Sequence, residues 1–419
     1  MPLNLDVLDA QQREAVTAPD GPLLIEAGPG SGKTMVLAGR LAWLLSERGV
    51  EPESVVALTY TNKARDELRD RLYRLVGADA GLVAVFTFDS FGYRVVRHYH
   101  HRLPYTDEPV PYDEEAAEEL LGEALRAVGR DPEREKLGEL ARETERARLA
   151  AEGTWAPGWR TSPKTRELVE AYERLLFERN AVDFAGMVAF PLRIFGLDSE
   201  ALELYQTGYR YVLVDEYQDT SQVQYEILRR LGQLHRNLTA VGDRLQSIYR
   251  WRGADPEKVI ERFRVDYPEH REVRLLHNYR SGARILAAAN ALSLRLDPER
   301  RLEGLKPAGD EVWVQGVEDE AAEAAYVADT IVELCSEGRI AHPGRVQVLY
   351  RTRAQAEALM EALRERGLPF VVRGSGELLR KREVRDVVAY LRLAYDPEDA
   401  EALARVVNRP PRKLAPLEE

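Results

Sequence analysis

Short apolar runs alternate with longer amphipathic segments in the first part of the chain. Residues 23–25, 55–60 and 82–88 are runs of the kind found in parallel strands that are buried on both faces of a sheet. Between residues 36 and 45 the apolar side chains recur with the spacing of a helix. The alternation predicts an α/β fold with a mainly parallel sheet.

Residues 105–196 follow a different pattern, because they are highly charged and their apolar positions repeat with a helical period. The spacing predicts three helices, at residues 113–128, 132–151 and 165–179. We therefore expect a helical insertion, most of whose charges face solvent. The strand pattern resumes at residues 211–214, 237–243 and 272–276.

A second alternation begins after residue 305 and predicts a second α/β unit. Its expected strands are residues 311–317, 346–350 and 369–372, and its expected helices are 320–335 and 354–366, followed by charged helices from Lys381 and Glu398. The domains expected from these patterns are residues 1–104 with 197–276, the insertion 105–196, and a partial second domain 277–419.

The composition is that of a soluble globular protein, with 44% hydrophobic and 31% charged residues among 419. No apolar run approaches the length of a membrane span, and no secretion signal is recognisable, so we expect a cytoplasmic protein that does not contact a membrane. Cys335 is the single cysteine, which excludes an internal disulfide and a cysteine-based zinc site. The net charge of −12 argues against a uniformly basic surface, although nucleic acid needs only a local basic track.

The most specific local signal is a phosphate-binding loop between the first strand and the first long helix. It comprises Ala27, Gly28, Pro29, Gly30, Ser31, Gly32, Lys33 and Thr34. Glycines let consecutive backbone N–H groups turn toward a phosphate, and the helix start adds partial positive charge. Lys33 would reach the β- and γ-phosphates and Thr34 would hold Mg²⁺. A tight glycine turn with a surface lysine is the alternative, and the flanking strand and helix disfavour it.

Two adjacent acids follow the strand at residues 211–214. Asp215 would hold Mg²⁺ and Glu216 would polarise the attacking water, as in a Walker B arrangement. Acids at a strand end are also common caps of the next helix, but the upstream phosphate loop favours catalysis. Upstream, Gln12 could bind the adenine edge, whereas on its own it resembles a solvated helix residue.

Residues 244–253 interleave arginines with aromatic side chains. Rings that stack on bases and guanidinium groups that meet phosphates are typical of a platform for single strands. An amphipathic surface turn is the alternative interpretation. Aromatic and small polar residues also follow the strands that end near residues 60 and 88, on the edge where open α/β sheets bind ligands.

Taken together, the motifs resemble those of the UvrD, Rep and PcrA group of superfamily 1 DNA helicases, in the family's order. The matching stretches are 11–16 (Q motif), 27–34 (motif I), 59–64 (Ia), 87–91 (Ib), 215–219 (II, Asp-Glu-Tyr-Gln-Asp), 242–253 (III) and 278–281 (IV). The resemblance implies two RecA-like domains with ATP between them, the second only partly present, and a helical subdomain 1B at residues 105–196. It also implies 3′ to 5′ movement on single-stranded DNA and at duplex junctions, by a monomer that acts in repair or replication.

The same resemblance implies roles for individual residues. Gln12 matches the adenine-reading glutamine, Tyr279 the ring that stacks on the base, Gln246 the γ-phosphate sensor, and Arg280 an arginine that reaches the γ-phosphate. Lys33, Thr34, Asp215 and Glu216 keep the roles given above. Tyr60, Asn62, Phe88, Tyr249, Trp251 and Arg252 match positions that handle single-stranded DNA.

This chain departs from the family pattern at several points. Leu245 stands where an acid is usual, and Asp89 where a histidine is usual. The resemblance also leads us to expect a truncation before the second insertion, 2B, and before motifs V and VI, the last of which supplies a further arginine.

Three other functions fit parts of the sequence. One is an ATP- and DNA-binding module with little turnover, and another is the motor part of a helicase–nuclease of the RecB or AddA type. A small-molecule phosphotransferase would explain the phosphate loop, but not residues 215–219 or 249–251.

Overall fold

A computed structural model describes residues 4–152, 161–250, 254–298, 300–372, 382–395, 397, 400–407, 409–410 and 412. The chain forms two compact units, Met1–Val312 and Trp313–Glu419. In the described part of the chain, every helix is too short or too polar to cross a membrane.

The first unit is built on a six-stranded parallel sheet with the order β3-β2-β6-β7-β1-β8. Its strands are β1 (Leu23–Ala27), β2 (Val55–Thr59), β3 (Ala84–Thr87), β6 (Tyr211–Val214), β7 (Leu238–Gly242) and β8 (Arg271–Leu275); shorter pairs are β4 (Val110–Pro111) with β5 (Ala181–Val182), and β9 (His277–Asn278) with β10 (Glu303–Gly304). All six predicted strands of this sheet are confirmed. Because the strands are parallel, their carboxyl ends share one edge.

Helices cover both faces of this sheet, since alternate side chains of each strand point to opposite sides. Leu23 and Ile25 of β1 belong to one hydrophobic cluster, whereas Leu24 belongs to the other. The helices of the first unit are α1 (Ala10–Thr17), α2 (Lys33–Ser46), α3 (Asn62–Val76), α4 (Phe88–His98), α5 (Glu114–Ala127), α6 (Leu137–Glu152), α7 (Pro163–Glu178), α8 (Phe184–Leu197), α9 (Ser199–Gly208), α10 (Gln222–Gly232), α11 (Pro256–Asp266) and α12 (Ala283–Leu296).

The predicted helical insertion forms helices α5, α6 and α7, which build a hydrophobic cluster of their own around Leu121, Leu168 and Tyr172. Helix α8 was not predicted, because its sequence is apolar almost all round and gives no helical period. It packs on α4, and Phe190 belongs to the main cluster beneath the sheet. The last helix of the predicted insertion therefore contributes to the core of the sheet.

The second unit contains helices α13 (Glu320–Ser336), α14 (Arg353–Glu365), α15 (Arg382–Tyr395) and α16 (Ala400–Val406). The prediction of strands at residues 311–317, 346–350 and 369–372 is wrong, since none of these stretches forms a strand among the described residues. Side chains in them are largely exposed, including Val314 at 94% and Val371 at 88%. An apolar run supplies only a side-chain preference, whereas a strand also requires a backbone partner.

Gly92 allows helices α4 and α8 to approach each other closely. A Cβ atom at Gly92 in α4 would overlap the carbonyl oxygen of Met187 in α8, whereas one at Gly196 in α8 would meet nothing within 4 Å. We predict that Gly92→Ala lowers the free energy of unfolding by about 1–3 kcal/mol, since a backbone group cannot yield as a side chain can. Gly196→Ala is the matched control and should be neutral or slightly stabilising. Denaturant unfolding of both variants checks this, and equal stability would contradict it.

Candidate nucleotide-binding site

The phosphate loop joins the end of β1 to the start of α2. Gly30 and Gly32 have φ angles of 69° and 89°, in the left-handed region that residues with a Cβ disfavour. A Cβ at Gly30 would also lie 2.7 Å from the amide nitrogen of Asn278. Glycine at position 30 is therefore required both by the backbone angle and by close approach. Thr34 lies in the first turn of α2, and Ala27 is buried at the end of β1.

Gln12 braces this loop from helix α1. Its Nε2 donates to the carbonyl of Ser31 at 2.9 Å, and its Oε1 accepts from the backbone N–H of Asp9 at 3.2 Å. The side chain is buried, so the alternative of a solvated helix residue is wrong. Both ends of the amide are bonded within the protein, and adenine recognition by Gln12 stays a prediction.

Lysine and acids meet where β1 and β6 end. Lys33 Nζ lies 3.2 Å from Glu216 Oε2. Asp215 is buried, and burial together with the neighbouring negative charge of Glu216 raises the pKa of its carboxyl to about 6. Glu216 itself has a φ of 48°, an uncommon backbone angle for a residue with a side chain, which turns the chain sharply after the strand. The predicted Walker B acids and the phosphate-loop lysine are thus neighbours.

This ion pair belongs to a closed ring of polar contacts, which we call the polar ring. Its members are one backbone amide, that of Asp243, and five side chains, those of Lys33, Glu216, Gln218, Asp243 and Gln246. Gln218 donates from Nε2 to Glu216 Oε2 at 2.8 Å and accepts at Oε1 from the backbone N–H of Asp243 at 2.8 Å. Asp243 Oδ2 accepts from Gln246 Nε2, and Gln246 Oε1 accepts from Lys33 Nζ at 3.4 Å. The polar ring therefore joins motifs I, II and III.

Sequence reasoning gave Gln218 no role, although it lies inside motif II. Its position next to β7 depends on Gly242, because a Cβ there would lie 2.6 Å from the Gln218 side-chain oxygen. The signal in the sequence that could have identified Gln218 is its position between two acids, Glu216 and Asp219, of the stretch Asp-Glu-Tyr-Gln-Asp. A side chain with both a donor and an acceptor can bridge two motifs.

Motif IV lies directly on the phosphate loop. Asn278 Nδ2 donates to the carbonyl of Pro29 at 2.6 Å, and the backbone N–H of Tyr279 donates to the carbonyl of Gly30 at 2.9 Å. The Asn278 side-chain oxygen in turn accepts from the backbone N–H of Arg280 at 3.1 Å. Arg280 is exposed beside the loop. The structure thus brings the predicted motif IV residues to the phosphate loop.

Asp9 ties helix α1 to motif IV. Its carboxylate accepts from the backbone N–H of Gln12 at 2.7 Å, from the hydroxyl of Tyr279, and it lies 2.8 Å from Nδ1 of His277. Burial alone would raise the pKa of the Asp9 carboxyl, but these hydrogen bonds outweigh it and hold the pKa below its usual range. Tyr279 is 38% exposed, so its hydroxyl is held while part of its ring remains accessible.

The residues predicted to contact DNA fall into three groups. Tyr60 and Tyr249 stack with ring centroids 5.3 Å apart and planes 17° apart, and Asn62 is exposed at the start of α3. Phe88 is 2% exposed inside the main hydrophobic cluster, so its ring packs against protein side chains, and its part in DNA binding stays a prediction. Trp251 and Arg252 lie outside the described residues.

The comparisons with known proteins agree with this geometry. A family model described as the UvrD/REP helicase N-terminal domain matches residues 8–268, and one described as the UvrD-like helicase C-terminal domain matches residues 273–416. Proteins named ATP-dependent DNA helicase PcrA are similar. Those of Staphylococcus epidermidis and Bacillus subtilis are 33% and 34% identical over 416 residues, which is 98% and 97% of this chain.

The match covers only part of those relatives. The chain spans 56% of the length of each of these two proteins, and 57% of a Staphylococcus aureus relative that is 33% identical over 419 residues. The family models cover most of this chain, including the phosphate loop, the acids after β6 and the motif IV stretch that meet at one edge of its sheet. The chain therefore belongs to the UvrD/REP helicase family.

Proposed function

We propose that this chain is the ATP-hydrolysing motor part of a DNA helicase, which moves 3′ to 5′ on single-stranded DNA. The observation that carries the proposal is the polar ring, which joins the phosphate-loop lysine to the predicted catalytic acid Glu216 and to the predicted γ-phosphate sensor Gln246. The names of the relatives support ATP and DNA as ligands.

The residues at this edge fit ATP with Mg²⁺. The loop offers backbone N–H groups and Lys33 to the phosphates, and Thr34 and Asp215 would hold the metal. In the described part of the chain no group of three or more His, Cys, Asp or Glu side chains is suited to a metal ion. Mg²⁺ is usually held by only one or two protein side chains together with phosphate oxygens and waters, and it would supply positive charge to the phosphates.

Lys33 would exchange one anionic partner for another on nucleotide binding. In the structure Lys33 pairs with Glu216, which also accepts a hydrogen bond from Gln218. Since the phosphates carry more negative charge, we expect the ammonium to turn toward them. Glu216 would keep the hydrogen bond from Gln218 at Oε2, and its other oxygen, Oε1, would accept a proton from water.

The path from the nucleotide to DNA runs through motif III. Gln246 faces Lys33, and only three residues later Tyr249 stacks on Tyr60. Tyr60 is itself tied to motif II, because its hydroxyl donates to the carbonyl of Asp219. A change of partner at Gln246 would therefore shift the segment that presents Tyr249.

The remaining parts of the proposal concern the whole protein. We propose that residues 1–104 with 197–276 act as the first motor domain, 105–196 as subdomain 1B and 277–419 as part of the second motor domain. We further propose a cytoplasmic monomer that acts at duplex junctions with repair or replication proteins. A binding module with little turnover and the motor of a helicase–nuclease are the competing functions.

Steady-state ATPase with and without single-stranded DNA tests the proposal. A motor should hydrolyse ATP and be stimulated by the strand. ATP and DNA binding without turnover would instead identify the chain as a binding module.

Two substitutions separate binding from chemistry. Lys33→Ala should weaken nucleotide binding and lower turnover by about a hundredfold or more, because a charged contact to the phosphates is lost. Glu216→Gln keeps the shape of the side chain and leaves Asp215 in place, so it should bind Mg-ATP normally while turnover falls by about 10²–10⁴-fold. Nucleotide titration and steady-state ATPase check both. Loss of ATP binding in Glu216→Gln would mean that the acid is structural.

Removing the ring of Tyr279 tests the adenine site. Tyr279→Ala should weaken ATP binding by about two- to tenfold, because an aromatic stacking contact is lost. Tyr279→Phe keeps the ring and loses only the hydroxyl bonded to Asp9, so its effect should be smaller. Inorganic tripolyphosphate has no base and should bind all three proteins equally. Equal loss of ATP and tripolyphosphate affinity would show that the tyrosine supports the loop instead.

Trp251→Ala tests the single-strand platform. Stacking on a base is worth about 1–3 kcal/mol, so affinity for single-stranded DNA should fall by about ten- to a hundredfold with nucleotide affinity intact. Binding should also weaken with added salt, because phosphate contacts release counterions. Trp313, which is 77% exposed, supplies the matched control Trp313→Ala. Unchanged DNA affinity in a normally folded Trp251→Ala protein would end the stacking hypothesis.

A further inference from the structure

A segment that follows helix α12 returns to the phosphate loop and motif III, and we call its described residues, 297–298 and 300–304, the cover segment. Asp297 accepts a hydrogen bond from the guanidinium of Arg244. Leu302 packs against Gly28, where a Cβ atom would overlap its methyl group. The backbone N–H of Glu303 donates to the carbonyl of Leu276 at 2.9 Å. The cover segment is therefore anchored on both sides of the nucleotide site.

Arg300 is the residue of the cover segment that reaches the polar ring. Its guanidinium pairs with Asp243 Oδ2, the same oxygen that accepts from Gln246 Nε2. The Asp243 side chain is 1% exposed and that of Arg300 is 12% exposed. A carboxylate so deeply buried requires a positive partner, because water cannot compensate its charge. Arg300 is the cation that the structure brings to it.

The pairing decides which way the Gln246 amide faces. A carboxylate accepts hydrogen bonds and cannot donate them, so Asp243 selects the Nε2 end of the amide. The Oε1 end is then left to face Lys33 Nζ, at 3.4 Å. A flipped amide would present two donors to the ammonium and repel it. The orientation of the predicted γ-phosphate sensor thus depends on Asp243, and Asp243 depends on Arg300.

We propose that Arg300 is a positioning residue for nucleotide recognition and turnover, acting through Asp243 on Gln246. This inference rests on one part of the proposed function, which is that the chain binds ATP. Arg300 lies 57 residues from Asp243 in the chain, within a charged stretch that carries no recognisable motif. Its neighbour Arg301 has the same chemistry and is exposed, which makes it a matched control.

The first experiment measures binding alone, in the full chain. The ratio of ATP affinity to ADP affinity reports on the γ-phosphate, so Gln246→Ala should lower it. Arg300→Ala should lower the ratio to the same extent, Arg300→Lys should restore part of it, and Arg301→Ala should leave it unchanged. The double variant Arg300→Ala with Gln246→Ala should be no worse than Gln246→Ala, because residues that act as a unit are not additive.

The second experiment measures steady-state ATPase on the same variants. A misplaced sensor should lower kcat by about ten- to a hundredfold, with a much smaller change in KM for ATP. Additive losses in the double variant, or equal losses in Arg301→Ala, would overturn the proposal. So would an unchanged affinity ratio in a normally folded Arg300→Ala protein. A wild-type chain without turnover would refute the proposed function, while the affinity ratio would still decide the role of Arg300.

Discussion

The site depends on one electrostatic constraint, which is that the charges gathered at the carboxyl edge of the sheet must compensate one another. Lys33 faces Glu216, and the buried Asp243 faces Arg300. The amides of Gln218 and Gln246 connect these two ion pairs, each using its donor on one acid and its acceptor elsewhere. Because a buried charge such as that of Asp243 is costly when unpaired, we expect a change in one ion pair to affect the other through these amides.

Close approach of backbone segments makes this compensation possible. Gly30 admits motif IV, Gly242 admits Gln218, and Gly28 admits Leu302 of the cover segment. At each of these positions a Cβ atom would strike a neighbouring side chain. Two of these glycines, Gly28 and Gly30, lie in the phosphate loop, which is thus shaped for close contact with protein segments on more than one side.

A second set of hydrogen bonds, next to the polar ring, connects Tyr60 with the residues that follow β6 and β7. Asp219 accepts from the hydroxyl of Tyr60 at its carbonyl and from the backbone N–H of Ile248 at its side chain. Motifs Ia, II and III therefore share one hydrogen-bonded frame, in which Tyr249 lies on the ring of Tyr60. A rigid frame of this kind passes displacement on instead of absorbing it.

The sequence by itself determined the sheet strands of the first unit, the phosphate loop and the identity of the acids. These features depend on backbone chemistry and periodicity within fewer than about twenty residues. Tertiary structure alone decided that Phe88 is buried, that α8 joins the core and that Gln12 braces the loop. It also decided that Arg300 meets Asp243, and that residues 346–350 form no strand in the described structure. Each of these outcomes depends on which distant segment lies alongside, and local sequence carries no information about that neighbour.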